Sequence, residues 1–324
     1  MKAAVIYHPG GPEQLIIEER AIPEVPAGWV LVKIKAFGLN RSELMTRKGM
    51  SPGVAFPRIL GIECVGEVVQ DPSGEWTSGQ KVAAFMGGMG RVFDGGYAEY
   101  AVLPQELLYA FESYLGWDML GAVPEMLQTV YGSLHLALKM AKGESLLVRG
   151  GTSSIGMLAI QLAKKQGLTV TATTRKEEKR AALLKNGADN VLIDDGHLAV
   201  HSKQVQAGGF DKVLELVGTT TLKDSLQCAA PGGIVCMTGI LSEQWSLTDF
   251  APMDFIPSTV SLTIYSSGQY RIDANSFQQF IRDVETGAIR LSIGGIFTLE
   301  EIVAAHQLMD SNIANGKIVV LPQH

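Results

Sequence analysis

The stretch Ser145–Arg175 reads SLLVRGGTSSIGMLAIQLAKKQGLTVTATTR. Its first five residues, Ser145–Arg149, form a short run before two glycines, which predicts a buried strand. From Ser154 to Gly167 the apolar residues recur at helical spacing, and the β-branched run Leu168–Thr173 predicts a second strand. Strand, glycine turn, helix and strand form one βαβ unit, in which such a turn can bind the pyrophosphate of a dinucleotide.

The glycine turn carries an imperfect fingerprint, because a serine stands in the middle of G-x-G-x-x-G. A glycine pattern alone is weak evidence, and the alternative is a tight turn whose glycines serve packing only. The order of strand, turn, helix and strand favours the coenzyme interpretation. We therefore predict that the coenzyme is bound by Gly151, Thr152, Ser153, Ser154, Ile155 and Gly156.

The end of the second strand indicates which coenzyme is bound. It carries Thr174 and Arg175, without the Asp or Glu that holds the ribose hydroxyls in NAD enzymes of this fold. A carboxylate there would repel the 2′-phosphate of NADP, whereas a guanidinium can bind it through two hydrogen bonds. Lys179 adds a second positive charge. The alternative is a solvated helix start, but the missing acid predicts NADPH.

Composition limits the classes of protein to consider. The 324 residues suffice for two domains with a large core, and the net charge of -6 lacks the basic footprint of nucleic-acid or anionic-membrane binding. No apolar run reaches membrane-spanning length, and the N-terminus lacks a signal pattern, so we expect a cytoplasmic protein. Three cysteines without a C-x-x-C pair indicate reduced thiols, and no metal is expected from them.

The chain is organised in two parts. Residues 1 to about 115 contain short strand-like runs between Pro- and Gly-rich turns, which is typical of a small barrel or sandwich. After Arg175, strands and helices alternate as far as the strand Ser261–Tyr265, which predicts a doubly wound parallel sheet. The fold class is therefore α/β with an additional β-rich domain.

Motifs along nearly the whole chain resemble those of the medium-chain dehydrogenase/reductase superfamily, in its zinc-independent NADPH:quinone oxidoreductase branch. They include MKAAV, KAFGLNRSEL, PRILGIECVGEV, GGYAEYAVLP, PGGIVCMTG and NGKIVV, in the order and spacing of the family. The resemblance implies a GroES-like catalytic domain over residues 1–119, completed by 267–324, and a Rossmann NADP-binding domain over 120–266. It also implies a homodimer joined through the edge strand Ser261–Tyr265.

The resemblance bears on zinc as well. Alcohol dehydrogenases of this superfamily bind catalytic zinc with two cysteines and a histidine, and by motif these positions fall on Asn40, Ile62 and Glu125. Isoleucine cannot coordinate a metal, and one amide with one carboxylate is a poor zinc set. Without a Lewis acid, we expect hydride transfer from NADPH to a small-molecule quinone or α,β-unsaturated carbonyl.

Three residues are candidates for the catalytic site. Asn40 is expected to donate its amide to the substrate oxygen, although an asparagine near Gly38 is also typical of a turn. Ser42 occupies the position of the proton-relay serine of the alcohol dehydrogenases, or else caps a helix that begins at Glu43. Tyr131 either faces the substrate or packs in the core.

Further residues complete the predicted coenzyme site. Thr129 is expected to reach the nicotinamide carboxamide, with helix packing as the alternative. Gly218 and Gly239 end two sheet strands at the edge where open α/β sheets bind ligands, or are ordinary turns. Lys317 is expected to contact coenzyme, with a solvated lysine as the alternative. Glu63 is expected to be buried and to form structural hydrogen bonds.

Two other functions are compatible with the sequence. An enoyl-thioester reductase of the same superfamily shares the fold and the hydride chemistry, but it requires basic residues for a phosphopantetheine arm, and no obvious cluster is present. A non-catalytic NADPH-binding sensor protein would keep the coenzyme site alone, and the acidic balance weighs against an RNA partner. NADPH consumption with quinones and enones distinguishes these alternatives.

Overall fold

The computed structural model of the protein describes residues 1–322. The strands are β1 (Lys2–Ile6), β2 (Leu15–Glu19), β3 (Trp29–Gly38), β4 (Arg58–Ile59), β5 (Glu63–Gln70), β6 (Lys81–Phe85), β7 (Tyr100–Pro104), β8 (Leu108–Ala110), β9 (Ser145–Arg149), β10 (Thr169–Thr174), β11 (Asn190–Ile193), β12 (Phe210–Glu215), β13 (Ala229–Met237), β14 (Ser261–Ile264), β15 (Ile293–Thr298) and β16 (Lys317–Leu321). The α-helices are α1 (Arg41–Arg47), α2 (Trp117–Leu120), α3 (Pro124–Tyr131), α4 (Ser154–Lys165), α5 (Arg180–Lys185), α6 (Leu198–Ser202), α7 (Thr219–Gln227), α8 (Pro252–Phe255), α9 (Ala274–Glu285) and α10 (Ile302–Ser311). A π-helical segment, Gly132–Ala137, follows α3.

The chain forms two compact units. The first unit is Met1–Leu127 with Asp273–His324, and the second unit is Gln128–Ile272. Both divisions fall a few residues beyond the predicted boundaries after residues 119 and 266. The first division lies within α3, so no loop or change of composition marks it in the sequence.

The second unit contains a six-stranded parallel sheet in the order β11-β10-β9-β12-β13-β14, as predicted for a doubly wound domain. The strand that begins the βαβ unit, β9, lies between β10 and β12, and all five of its residues are buried. The chain leaves β9 for β10 on one side and reaches β12 on the other. This reversal creates the crevice at the carboxyl ends of the strands where open sheets bind ligands.

The first unit contains a β-rich fold with two sheets. The larger has the order β15-β16-β3-β5-β6-β8, with β7 also paired to β3, and the smaller has the order β2-β1-β4. The strand β16 pairs with β3 through Val320 and Phe37, so a C-terminal segment contributes to the sheet of the N-terminal part. Phe37 and Tyr97 stack at 4.8 Å within its core.

Some elements differ from the sequence-based predictions. The strand β15 was not predicted, because Gly294 and Gly295 interrupt its apolar pattern. Its pairing with β16 stabilises the extended conformation that its own sequence does not favour. The helix α1 begins at Arg41, so Ser42 lies in its first turn and does not cap a helix at Glu43. Over the described residues, no helix combines the length and the apolar character that crossing a membrane requires.

Candidate coenzyme and substrate sites

The glycine turn lies between β9 and α4. Ser153 caps α4, because its hydroxyl accepts from the Gly156 N–H at 3.1 Å and donates to the Gly150 carbonyl at 2.8 Å. A Cβ at position 156 would lie 2.5 Å from the Gly150 oxygen, so only glycine allows this approach of helix to strand. The middle serine of the fingerprint therefore stabilises the turn, which leaves backbone N–H groups at the helix start for a phosphate.

Neighbouring groups complete this turn. The Gly151 N–H donates to the Thr173 carbonyl at 3.1 Å, and the Gly150 N–H donates to Thr173 Oγ1 at 3.1 Å. These bonds attach the turn to β10. The Thr152 and Ser154 side chains are half-buried, and their hydroxyls have no hydrogen-bond partner in the part of the chain that is described. Both hydroxyls are thus without a partner in the described chain, whereas that of Ser153 is already used; their contact with a phosphate stays a prediction.

The end of β10 carries an unpaired cation. Arg175 is exposed and makes no hydrogen bond or ion pair with any of residues 1–322. Thr174 is buried, and its Oγ1 accepts from the Lys176 N–H at 3.2 Å. Glu177, the first acid after the strand, is paired with Arg180. The Arg175 guanidinium is therefore free to bind an anion, and the nearby acid is neutralised by another arginine.

The turns after β9, β12 and β13 meet at the sheet edge. A Cβ at Gly239 would lie 2.3 Å from the Leu216 carbonyl, and one at Gly150 would lie 3.1 Å from Leu216 Cβ. The Gly218 N–H donates to Glu215 Oε1 at 2.9 Å. The structure thus brings the predicted residues Gly218 and Gly239 together with the glycine turn that follows β9.

Thr129 is linked to the same edge through hydrogen bonds. Its carbonyl accepts from Ser133 Oγ at 2.7 Å, and Ser133 Oγ lies 2.8 Å from Thr238 Oγ1, directly before Gly239. Tyr131 is half-buried and packs on His135 with ring centroids 4.3 Å apart. The sequence did not indicate either Ser133 or His135 as a neighbour of these residues.

A buried polar cluster in the first unit consists of Asn40, Glu43, Glu63, Glu125 and Lys317. Lys317 Nζ lies 2.7 Å from Glu63 Oε1 and also donates to Asn40 Oδ1. Asn40 Nδ2 donates to Glu63 Oε1 at 2.8 Å and to Glu43 Oε1 at 3.3 Å. The second oxygen of Glu63 accepts from the Glu125 N–H at 2.8 Å. Four chain segments therefore meet around one buried ammonium.

Burial changes the protonation of this polar cluster. Burial, with a smaller effect of the Glu63 charge, raises the pKa of Glu43 to about 7. Glu43 Oε1 accepts from the Ile62 N–H at 3.1 Å, whereas its buried Oε2 has no hydrogen-bond partner. Although burial lowers the pKa of Lys317, the attraction of Glu63 and the other carboxylates outweighs it and raises that pKa. The lysine therefore stays charged, and Glu43 changes protonation near neutral pH.

The cluster gives two predicted residues a different environment from the one expected. Both N–H groups of the Asn40 amide point to carboxylates, so donation to a substrate requires one of these bonds to be exchanged. Lys317 is only 3 % exposed and is paired inside the first unit, which departs from the expected coenzyme contact. Glu63, expected to be buried and hydrogen-bonded, is 0 % exposed.

Ser42 has a partner that sequence reasoning missed. Its Oγ accepts from Arg91 Nη2 at 2.6 Å. Arg91 lies in the glycine-rich loop after β6, and no motif singled it out. The available signal is the run Gly87–Gly90, since glycines allow the backbone of a loop to approach other backbone closely.

The residues at the three zinc-ligand positions do not fit a zinc ion. Ile62 has no donor atom, and the side-chain oxygen of Asn40 already accepts from Lys317. A buried ammonium at this point repels a metal cation. Within the described chain, no three or more His, Cys, Asp and Glu side chains are grouped so as to hold a metal ion.

Two sequence families match this chain. The family described as alcohol dehydrogenase GroES-like domain covers residues 26–113, and the family described as zinc-binding dehydrogenase covers residues 154–286. Among curated proteins, a quinone oxidoreductase of Lama guanicoe is 29 % identical, over 99 % of this chain and 97 % of the relative. A 2-haloacrylate reductase of Burkholderia is 27 % identical, over 99 % of both.

Solved structures share the fold along its full length. A quinone oxidoreductase of Pseudomonas syringae matches with a TM-score of 0.88 and 25 % identity, over 99 % of both chains. A quinone oxidoreductase of Escherichia coli, solved in complex with NADPH, matches with a TM-score of 0.89 and 22 % identity, over 99 % of this chain and 100 % of the other.

Proposed function

This chain belongs to the medium-chain dehydrogenase/reductase superfamily, in its quinone oxidoreductase branch, and from that premise we propose that it reduces a quinone or an α,β-unsaturated carbonyl with NADPH. The observation that carries this proposal is the buried polar cluster, in which the Lys317 ammonium binds Asn40 at a zinc-ligand position. These side chains do not form a site for a metal ion that would polarise an alcohol oxygen. An acceptor that is already electron-poor suits this site better.

The second unit supports NADPH as the coenzyme. The helix start at α4 offers N–H groups and the hydroxyls of Thr152 and Ser154 to the pyrophosphate. The unpaired Arg175, with Lys179, suits the 2′-phosphate, and Thr174 ends the strand without an acid. Bound NADPH would supply the hydride. We assign the remaining contacts of the coenzyme to the turns and helix that meet at the sheet edge, namely Gly151, Ser153, Ile155, Gly156, Thr129, Gly218 and Gly239.

On the substrate side, we assign the acceptor oxygen to Asn40. Its 3.3 Å bond to Glu43 is longer than its 2.8 Å bond to Glu63, so an acceptor oxygen can replace the former. Lys317 then orients the amide by holding Oδ1, and this pairing supports a positioning role in place of a coenzyme contact. Ser42 and Tyr131 remain the further candidates for substrate contacts.

We also propose a homodimer. Within the described residues β14 pairs with β13 on one side only, and Ile264 on this strand is 65 % exposed. An exposed edge strand of this kind pairs readily with its twin across a two-fold axis.

A cytoplasmic location is proposed as well. All three cysteines, Cys64, Cys228 and Cys236, are buried free thiols, which suits a reducing compartment.

The test is NADPH oxidation with a panel of quinones and enones, with and without EDTA, together with elemental analysis. We expect turnover with at least one acceptor class, no effect of the chelator, and zinc far below one ion per chain. About one zinc per chain, or alcohol oxidation that EDTA abolishes, contradicts the proposal. Tight NADPH binding without any turnover would instead favour a non-catalytic sensor.

A further inference from the structure

The guanidinium of Arg91 is a feature of the first unit that the proposed function leaves unexplained. The side chain is half-buried and donates through Nη2 to Ser42 Oγ at 2.6 Å. Its buried Nε has no hydrogen-bond partner, and it forms no ion pair with any described residue. Arg91 is therefore a half-buried cation with no acidic partner among the described residues.

The acids nearest in the chain to Arg91 and to Ser42 make their contacts with other residues. Asp94, three residues further along the loop, pairs with Arg58 Nη1 at 3.0 Å and accepts from the Ile59 N–H at 3.1 Å. Glu43, next to Ser42, accepts from the Ile62 N–H at 3.1 Å. Among the described residues, neither of these acids is paired with the guanidinium of Arg91.

The loop that carries Arg91 is fixed by backbone contacts. The N–H groups of Arg91 and Val92 both donate to the Gly88 carbonyl, at 3.1 and 2.7 Å. Gly90 approaches Gly61 so closely that a Cβ at position 90 would lie 2.8 Å from the Gly61 nitrogen. A cation presented from so constrained a backbone is pre-organised for a ligand.

We propose that Arg91 and Ser42 bind a carboxylate of the acceptor, so that α,β-unsaturated acids are preferred over neutral quinones and enones. This inference rests on the proposed function and names its substrate class. A planar guanidinium donates two parallel N–H bonds to a carboxylate. Because Ser42 Oγ accepts from Arg91, its own hydrogen is free to donate a third. Ser42 lies close to Asn40 in the chain, so the anion is bound beside the proposed acceptor site.

The chemistry of the reduction benefits from this pairing. The negative charge of a conjugated carboxylate makes its C=C bond a poor hydride acceptor, and an ion pair with Arg91 offsets that charge. The β-carbon receives the hydride with its electron pair from NADPH, which is oxidised to NADP⁺, and the α-carbon receives a proton from water. After hydride addition and before protonation, the negative charge on the carboxyl oxygens is larger, and Arg91 and Ser42 stabilise it.

The test compares each acid with its methyl ester, which lacks the negative charge. Wild type, Arg91→Gln and the control Arg282→Gln, at an exposed position on α9 of the same unit, are assayed with acrylate, methacrylate and cinnamate, and with the methyl ester of each. We expect Arg91→Gln to lower kcat/KM about tenfold to a hundredfold for the acids and less than about threefold for the esters. Arg282→Gln should change neither. Equal losses on acids and esters, or a wild type that prefers every ester, overturn the proposal.

A binding measurement separates this proposal from the proposed function. If no acceptor is reduced, the proposed function fails, and calorimetry with 3-phenylpropionate on the NADPH-bound protein still reports on the anion site. Binding by wild type that is at least about tenfold weaker in Arg91→Gln supports the site. No binding, or equal binding by both, overturns it. If Arg91→Gln does not fold, Arg91→Lys replaces it, because lysine keeps the charge and loses the two-bond geometry.

Discussion

Lys317 Nζ and Glu63 Oε1 lie 2.7 Å apart, and their side chains are 3 % and 0 % exposed. The pair joins the last strand, β16, to β5 in the middle of the larger sheet. A salt bridge buried this deeply is stable only while both charges are present, because the loss of one leaves the other uncompensated in a medium of low polarity.

We therefore expect Lys317→Met to lower the free energy of unfolding by about 3–5 kcal/mol. Urea unfolding followed by circular dichroism measures this loss. The matched control is Lys35→Met, which removes a lysine whose 3.1 Å pair with Glu67 is partly exposed. Its expected loss is below about 1 kcal/mol. Similar losses for the two variants would contradict the role given to the buried pair.

Glu43 is expected to make stability fall as the pH rises. Burial raises the pKa of its carboxyl to about 7 in the folded protein, whereas the unfolded chain has the ordinary value of about 4.3. Between these two values the folded state keeps a proton that the unfolded state has released. Unfolding is therefore favoured progressively across this window, and the penalty is complete above about pH 7.

The variant Glu43→Gln removes this titration. The difference in free energy of unfolding, variant minus wild type, should increase by about 2–3 kcal/mol from pH 5 to pH 8. Urea unfolding at several pH values gives the difference, and Glu106→Gln, at an exposed position, serves as the control. If the curves of Glu43→Gln and wild type remain parallel, the carboxyl does not titrate in this range.

Arg175→Ala tests the choice of coenzyme. This guanidinium has no partner in the described chain. Its loss therefore weakens the binding of the coenzyme without breaking a contact within the protein. Hydrogen bonds to charged groups contribute about 1.5–3 kcal/mol, so the KM for NADPH should rise about tenfold to a hundredfold, with weak NADH use nearly unchanged. Lys185→Ala, on the exposed side of α5, should change neither value. An equal effect on both coenzymes rules out Arg175 as the phosphate ligand.

Ile264→Lys tests the proposed dimer. A charge on the exposed edge strand opposes pairing with an identical strand, so light scattering at micromolar concentration should give a dimer for wild type and a monomer for the variant. Val200→Lys, at a position that is 67 % exposed on α6, should remain a dimer. A monomeric wild type contradicts the proposed assembly.

The second unit was predictable because its signals are local. The glycine turn, the helical spacing after Ser154 and the β-branched run before Arg175 each report on a few neighbouring residues, and all agree with the fold. The strand β15 escaped prediction because its formation depends on β16, a partner that the sequence pattern does not show.

The candidate site was predictable only in part. The residue type at Ile62 was enough to exclude a zinc ligand, because that argument needs no partner. The pair of Lys317 with Glu63 joins residues far apart in the chain, and a charge in a sequence does not reveal its counter-charge. That Arg91 has no acidic partner among the described residues is harder still to predict, because it depends on Asp94 being paired with Arg58.

The position of β16 in the chain affects the order in which the two units can fold during synthesis. Residues 128–272 are continuous and can fold once they emerge, whereas the first unit receives β16 and Lys317 only after the second unit has been synthesised. Until then Phe37 on β3 lacks its partner Val320, and Glu63 lacks its ammonium. A nascent chain arrested after Gly316 should therefore resist protease over residues 128–272 while residues 1–127 are cleaved, and protection of the N-terminal part should appear only when the last strand is released.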